Sequence, residues 1–180
     1  MRVWDPYRSK LSAAINKKLK IPRIDEGFRV LYLGAASGTT SSHVSDIVGE
    51  RGKVFCVEIS VRVSRELLRV CEVRKNMMPI IADARMPESY RYFLDKVDMI
   101  YQDVAQPNQA EILSKNAEAY LKDRGLAILA IKARSIDVTK RPEELFEDQV
   151  EILERNGFKI YDRISLDPFD KDHELVVAIY

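Results

Sequence analysis

Only two cysteines, Cys56 and Cys71, occur in the 180 residues of this chain. Two are too few for a disulfide framework or, by themselves, a zinc site, and no metal site is expected. No apolar run approaches the roughly 20 residues of a membrane span. The N-terminus is basic but lacks the apolar stretch of a signal peptide, so a cytoplasmic protein that avoids membranes is expected. Internal repeats, low-complexity segments and linkers are also missing, and the length suits one domain over residues 1–180. The chain carries no aromatic RNP motif, KH loop or zinc finger to read nucleotide bases. An excess of charge of one sign is absent too, because the formal net charge is only +1.

Charge is instead unevenly placed. Residues 1–23 hold Arg2, Arg8, Lys10, Lys17, Lys18, Lys20 and Arg23 against Asp5 alone. A second cluster runs from Arg124 to Arg141 and includes Lys132, Arg134 and Lys140. Basic faces on a near-neutral protein are compatible with a phosphate backbone, although a solvated helix surface accounts equally well for Lys17, Lys18 and Lys20. Arg8 and Arg134 are the expected phosphate contacts.

A basic amphipathic helix is predicted over about residues 9–20, with Leu11, Ala14, Ile15 and Leu19 on one face and Pro22 closing it. From residue 29 onward strands alternate with helices. Strands are predicted at 30–33, 53–59, 78–82, 96–103, 125–133, 158–166 and 174–180; helices at 61–74, 108–121 and 142–156. Cys56 falls within a strand and Cys71 within a helix, where each reads as a small buried hydrophobe. The last two strands have no helix between them and must run antiparallel. This is an α/β pattern: a mostly parallel seven-stranded sheet ending in an antiparallel hairpin, the Rossmann-like fold of S-adenosylmethionine-dependent methyltransferases.

The stretch VLYLGAASGTT, Val30 to Thr40, runs from a strand through a small-residue turn into a helix. Gly34 permits the tight turn, and Ala35, Ala36 and Gly38 permit close approach of a ligand. The free N–H groups of the following helix, begun by Thr39 and Thr40, then face a pocket. The spacing departs from the G-x-G-x-x-G of nicotinamide-binding proteins. Glu58, at the end of the second strand, is placed to accept hydrogen bonds from both hydroxyls of a ribose. Asp83 and Ala84, after the third strand, are placed to meet an adenine edge. Together these residues point to S-adenosylmethionine more than to a dinucleotide.

Asp103 ends the fourth strand, Lys132 lies near the end of the fifth and His173 precedes the last. Lys10 sits in the N-terminal helix, which can pack over the same edge. A lysine in so apolar a strand needs a partner, and Asp103 can supply one. An exocyclic-amine methyltransferase would show an Asn/Asp-Pro-Pro-aromatic turn where this chain has Asp103-Val104-Ala105-Gln106-Pro107. A cytosine C5 enzyme needs a pocket cysteine, and neither Cys56 nor Cys71 is so placed.

The segments RSKLSAAI, GAASGTTSSHVSD, DVAQPNQ, IKARSID and KDHELV, in this order and spacing, resemble the archaeal fibrillarins over nearly the whole chain. The resemblance implies S-adenosylmethionine-dependent methylation of ribose 2′-hydroxyls in rRNA and tRNA targets, within a box C/D guide ribonucleoprotein. It implies a catalytic tetrad of Lys10, Asp103, Lys132 and His173. It places the cofactor on Gly34, Ala35, Thr39, Thr40, Glu58, Asp83, Ala84, Asp103 and Gln106. Implied partners are guide and target RNA, a Nop-family scaffold protein and, indirectly, a kink-turn-binding ribosomal-type protein. Archaeal relatives carry a small β-rich N-terminal domain, most of which a chain beginning almost at RSKL is expected to lack. A non-catalytic ribonucleoprotein subunit and a standalone RNA methyltransferase are the alternatives.

Overall fold

The computed structural model describes residues 2–180. Seven strands form one sheet: β1 (Arg29–Leu33), β2 (Lys53–Glu58), β3 (Met77–Ile81), β4 (Val97–Gln102), β5 (Leu121–Lys132), β6 (Lys159–Ser165) and β7 (His173–Ile179). Their order is β3-β2-β1-β4-β5-β7-β6. The first five pair in parallel, and β7 lies antiparallel between β5 and β6. The hairpin expected from the sequence is present, with β7 rather than β6 on the parallel sheet.

Both faces of the sheet are covered. Alternation along β1 sends Val30 and Tyr32 to one side and Leu31 and Leu33 to the other, all fully or nearly buried. The Tyr32 side packs against α1 (Lys10–Asn16), α2 (Thr39–Val48) and α3 (Val61–Val73). The Leu31 side packs against α4 (Gln109–Tyr120) and α6 (Pro142–Arg155). A four-residue helix, α5 (Ala133–Ile136), follows β5 directly. Burying one aliphatic side chain of this kind stabilises the fold by about 1.5–3 kcal/mol. Cys56 and Cys71 are both buried on the Tyr32 side.

Three expectations need correction. The N-terminal helix is shorter than residues 9–20: it ends at Asn16, and Lys18 takes a left-handed conformation at φ 68°. Leu11, Ala14 and Leu19 are buried, but Ile15 is exposed. The fifth strand begins at Leu121, not Gly125, directly after α4. Val97 pairs with Leu121 and Met99 with Leu126, so the strand bulges between them and Gly125 marks the end of the bulge. His173 is the first residue of β7, not the one before it.

Candidate active site

The sheet reverses its direction of winding between β1 and β4, whose connections leave to opposite sides. Loops diverge at such a point and open a crevice at the strand C-termini. Here the crevice is a cleft of about 230 Å³ lined by Gly34, Glu58, Asp83, Ala84, Asp103, Gln106 and Lys132, among others. Six of the nine residues assigned above to a cofactor therefore share one wall.

Each arrives there for a local reason. Gly34 turns the chain at φ 78°, and a Cβ there would stand 2.7 Å from the carbonyl oxygen of Asp103. Only glycine allows β1 and β4 to end this close together. The Glu58 carboxylate accepts hydrogen bonds from the backbone N–H of Ala36 at 2.9 Å and of Ser60 at 2.8 Å. It thus pins the small-residue turn and still has lone pairs for a ligand. Asp83 accepts from the Arg85 guanidinium at 2.6–3.1 Å, and that bond holds its carboxyl below the usual range.

The other three residues assigned to the cofactor are not on this wall. Ala35 is buried, its N–H donating to the carbonyl of Val57. Thr39 lines a neighbouring cleft that also includes Arg8. Thr40 is buried and donates its hydroxyl hydrogen to Ser9 Oγ at 2.9 Å, tying α2 to the cap of α1.

Two lysines share one carboxylate of the cleft lining, Asp103. Lys132 Nζ stands 2.8 Å from Asp103 Oδ1 and donates to the Asp103 carbonyl at 3.0 Å. Lys10 Nζ donates to Asp103 Oδ2 at 3.3 Å. All three side chains are less than one-fifth exposed. His173 does not touch this trio directly. Its Nδ1 is 3.0 Å from Asp170 Oδ1 and 2.6 Å from the carbonyl of Lys171. Asp170 Oδ2 is 3.5 Å from Lys10 Nζ, so Asp170 joins the histidine to the rest.

Two residues at this site escaped the sequence reading. Asp170 stands three positions before His173 in an acidic turn, which reads as an ordinary solvated loop. Gln109 is fully buried and clamps the end of β5: its Oε1 accepts from Lys132 N–H, and its Nε2 donates to the carbonyls of Lys132 and Gln106. The ladder between β4 and β5 ends at Leu129, so on that side Gln109 takes the place of β4 for Lys132, whose other side faces β7. The signal available in the sequence is its place alone, at the end of the DVAQPNQ segment.

Of the expected phosphate contacts, Arg8 is exposed beside the second cleft. Arg134 is half exposed, with its Nε donating to Asp172 at 2.9 Å and Nη1 to the carbonyl of Val138. Among the described residues, no helix is long and apolar enough to cross a membrane.

Comparison with known proteins agrees with this fold. The family model described as fibrillarin matches residues 1–180. A curated fibrillarin-like rRNA/tRNA 2′-O-methyltransferase from Methanocaldococcus jannaschii is 54% identical over 99% of this chain and 77% of its own length. The solved fibrillarin pre-rRNA processing protein of Methanococcus jannaschii superposes with a TM-score of 0.95 at 54% identity, over 99% of this chain and 77% of that one. Aeropyrum pernix fibrillarin, solved with natively bound S-adenosyl-L-methionine, gives a TM-score of 0.90 at 51% identity over 97% of this chain and 76% of that one. A fibrillarin chain solved in complex with Nop5p gives 0.94 at 46% identity, over 98% and 83%.

Proposed function

The chain belongs to the fibrillarin family, and from that premise we propose that it methylates ribose 2′-hydroxyls of rRNA and tRNA within a box C/D guide ribonucleoprotein, using S-adenosylmethionine. The observation that carries this reading is that Asp103 and Lys132 line the same cleft as Glu58 and Asp83, with Lys10 paired to Asp103. The donor set suits an adenosine: an acceptor pair at the end of β2, a polar edge after β3, and a glycine turn that a Cβ would close.

The cofactor brings a methyl group already activated by its sulfonium. What remains for the protein is to align a weakly nucleophilic hydroxyl and to manage its proton. Glu58 takes the cofactor ribose, Asp83 and Ala84 the adenine, and Gly34, Thr39 and Thr40 lie near its amino-acid end, with Asp103 and Gln106 completing the set. Ala35 acts through the shape of the turn, and Thr39 and Thr40 through the start of α2 that follows it. Lys132 orients the target hydroxyl. Asp103 holds the ammonium groups of Lys132 and Lys10 in place, which suits them to orienting the substrate. Attack by the neutral hydroxyl leaves the proton on an oxygen that bond formation has made acidic, and it passes to solvent water late in the reaction. Lys10 and His173 position the ribose and its flanking phosphates.

Arg8 and Arg134 contribute phosphate contacts, and base pairing with a guide RNA selects the nucleotide. The relative solved with Nop5p supports a Nop-family scaffold as the direct protein partner. A kink-turn-binding ribosomal-type protein completes the assembly without touching this chain.

The test is to assemble the complex with two guides differing only in their pairing segment and to map ribose methylation. Methylation that moves with the guide supports the reading. A position that stays with a protein-preferred sequence indicates a standalone RNA methyltransferase, and absence of label from radioactive cofactor indicates a non-catalytic subunit.

A further inference from the structure

Asp170 lies outside the tetrad assigned to this chain, yet its carboxylate is the only group that touches both Lys10 and His173 among the described residues. Its two oxygens are divided between them: Oδ1 faces His173 Nδ1 at 3.0 Å and Oδ2 faces Lys10 Nζ at 3.5 Å. Lys10 is thereby held between two carboxylates, Asp103 on the inner side and Asp170 on the outer. Apart from the backbone pairing of His173 opposite Lys132, Asp170 is the side chain that links the imidazole to the other three residues. Its side chain is about one-third exposed, so it is not part of the packed core.

We propose that Asp170 is a positioning residue that joins Lys10 and His173 into one unit and sets the charge of the substrate-facing half of the site. The proposal rests on the reading of the chain as a ribose methyltransferase. Two consequences follow from the geometry. First, the Nδ1 side of His173 is engaged by Asp170 and by the Lys171 carbonyl, which leaves Nε2 as the atom available to the substrate. Second, the cluster of Lys10, Lys132, Asp103 and Asp170 is balanced, two positive charges against two negative ones. Removing the Asp170 charge makes this half of the site net positive. Target RNA, a polyanion, should then bind as well as before or better, while the lysine and histidine lose their fixed geometry.

This combination separates positioning from a structural role. In the assembled guide complex, Asp170→Asn should lower kcat about 10- to 100-fold, with KM for target RNA unchanged or lower and cofactor affinity within about twofold of wild type. Asp170→Glu, which restores the charge, should recover most of the loss. Independently of turnover, the ring ¹⁵N signals of His173 should shift in the Asn variant and return towards the wild-type position in the Glu variant. An Asn variant with kcat within about twofold of wild type overturns the proposal. So does a rise in KM that accounts for the whole loss, a Glu variant no better than Asn, or an unmoved His173 signal. Wild-type turnover, scored first in the same complex, tests the methyltransferase reading by itself: an active wild type with an indifferent Asp170 sinks only the present proposal, whereas an inactive wild type sinks both.

Discussion

Lys132 and His173 are register partners at the end of the antiparallel ladder between β5 and β7. Directly opposed residues of such a pair project to the same face of the sheet. Two side chains far apart in the sequence are therefore held in a fixed relation by backbone hydrogen bonds, while Lys10 approaches from a helix packed across the same edge.

Replacing Lys132 by alanine should reduce methyl transfer by about 10²–10⁴-fold, the usual consequence of removing a positioned acid–base or orienting group. The side chain lies at a strand end, partly exposed, so thermal melting should stay close to wild type. Single-turnover methylation in the guide complex measures the first effect; turnover within tenfold of wild type would remove Lys132 from the reaction.

Glu58→Ala should weaken S-adenosylmethionine by about 1.5–3 kcal/mol for each charge-assisted hydrogen bond lost. The same change frees the turn at Ala36, whose N–H the carboxylate accepts. Titration calorimetry reads the affinity directly. An unaltered dissociation constant would mean that the cofactor ribose lies elsewhere.

Gly34→Ala tests the closeness of β1 and β4. The new methyl would stand 2.7 Å from the Asp103 carbonyl oxygen on a backbone at φ 78°. Strain of this kind costs on the order of 1–3 kcal/mol, and any relief must come by moving Asp103 away from the cleft. Urea denaturation should show the loss of stability, and cofactor affinity should fall with it. A variant as stable as wild type would show that the two loops can separate freely.

Gln109→Leu removes the clamp on Lys132 while keeping an apolar side chain of similar bulk. The N–H and carbonyl of Lys132 and the carbonyl of Gln106 lose their partner. Leaving buried polar groups unpaired costs about 1–3 kcal/mol each. The midpoint of urea unfolding should drop, and residual activity at low denaturant should fall further than stability alone explains. Full activity in the folded variant would show that β5 holds Lys132 unaided.

Arg8→Ala should weaken RNA binding alike for different sequences and reduce the salt slope by about 0.7–0.9, the value of one phosphate contact. Arg134→Ala should have the smaller effect, because part of that guanidinium is already committed to Asp172 and Val138. Fluorescence anisotropy across a salt series decides the ranking; the reverse order would place the RNA path over α5.

Much of the fold was legible because its signals are local. The alternation of apolar runs with amphipathic stretches located every strand, and the small-residue turn at Gly34 located the crevice. The ends of the elements were less legible. Lys122 to Gly125 look like a loop because they are polar and end in glycine, yet they form a bulge inside β5, where pairing with β4 outweighs local preference. Ile15 carries the apolar character of a helix face, yet it stands exposed on α1.

By itself the sequence determined the sheet, the crevice at the ends of its strands, and several of the polar residues gathered there, because residue type and spacing encode backbone conformation and burial. Its resemblance to a known family supplied the roles. Only the tertiary structure decided who touches whom. Thr40 turns from the cleft to Ser9 because α1 packs on the start of α2, and a buried hydroxyl needs a partner. Asp170 and Gln109 acquire meaning only once Lys10, Lys132 and His173 are brought within a few ångströms of them by elements distant in the chain. Pairwise electrostatics and hydrogen bonds act across space, and a linear pattern carries no distance between segments that meet only on folding.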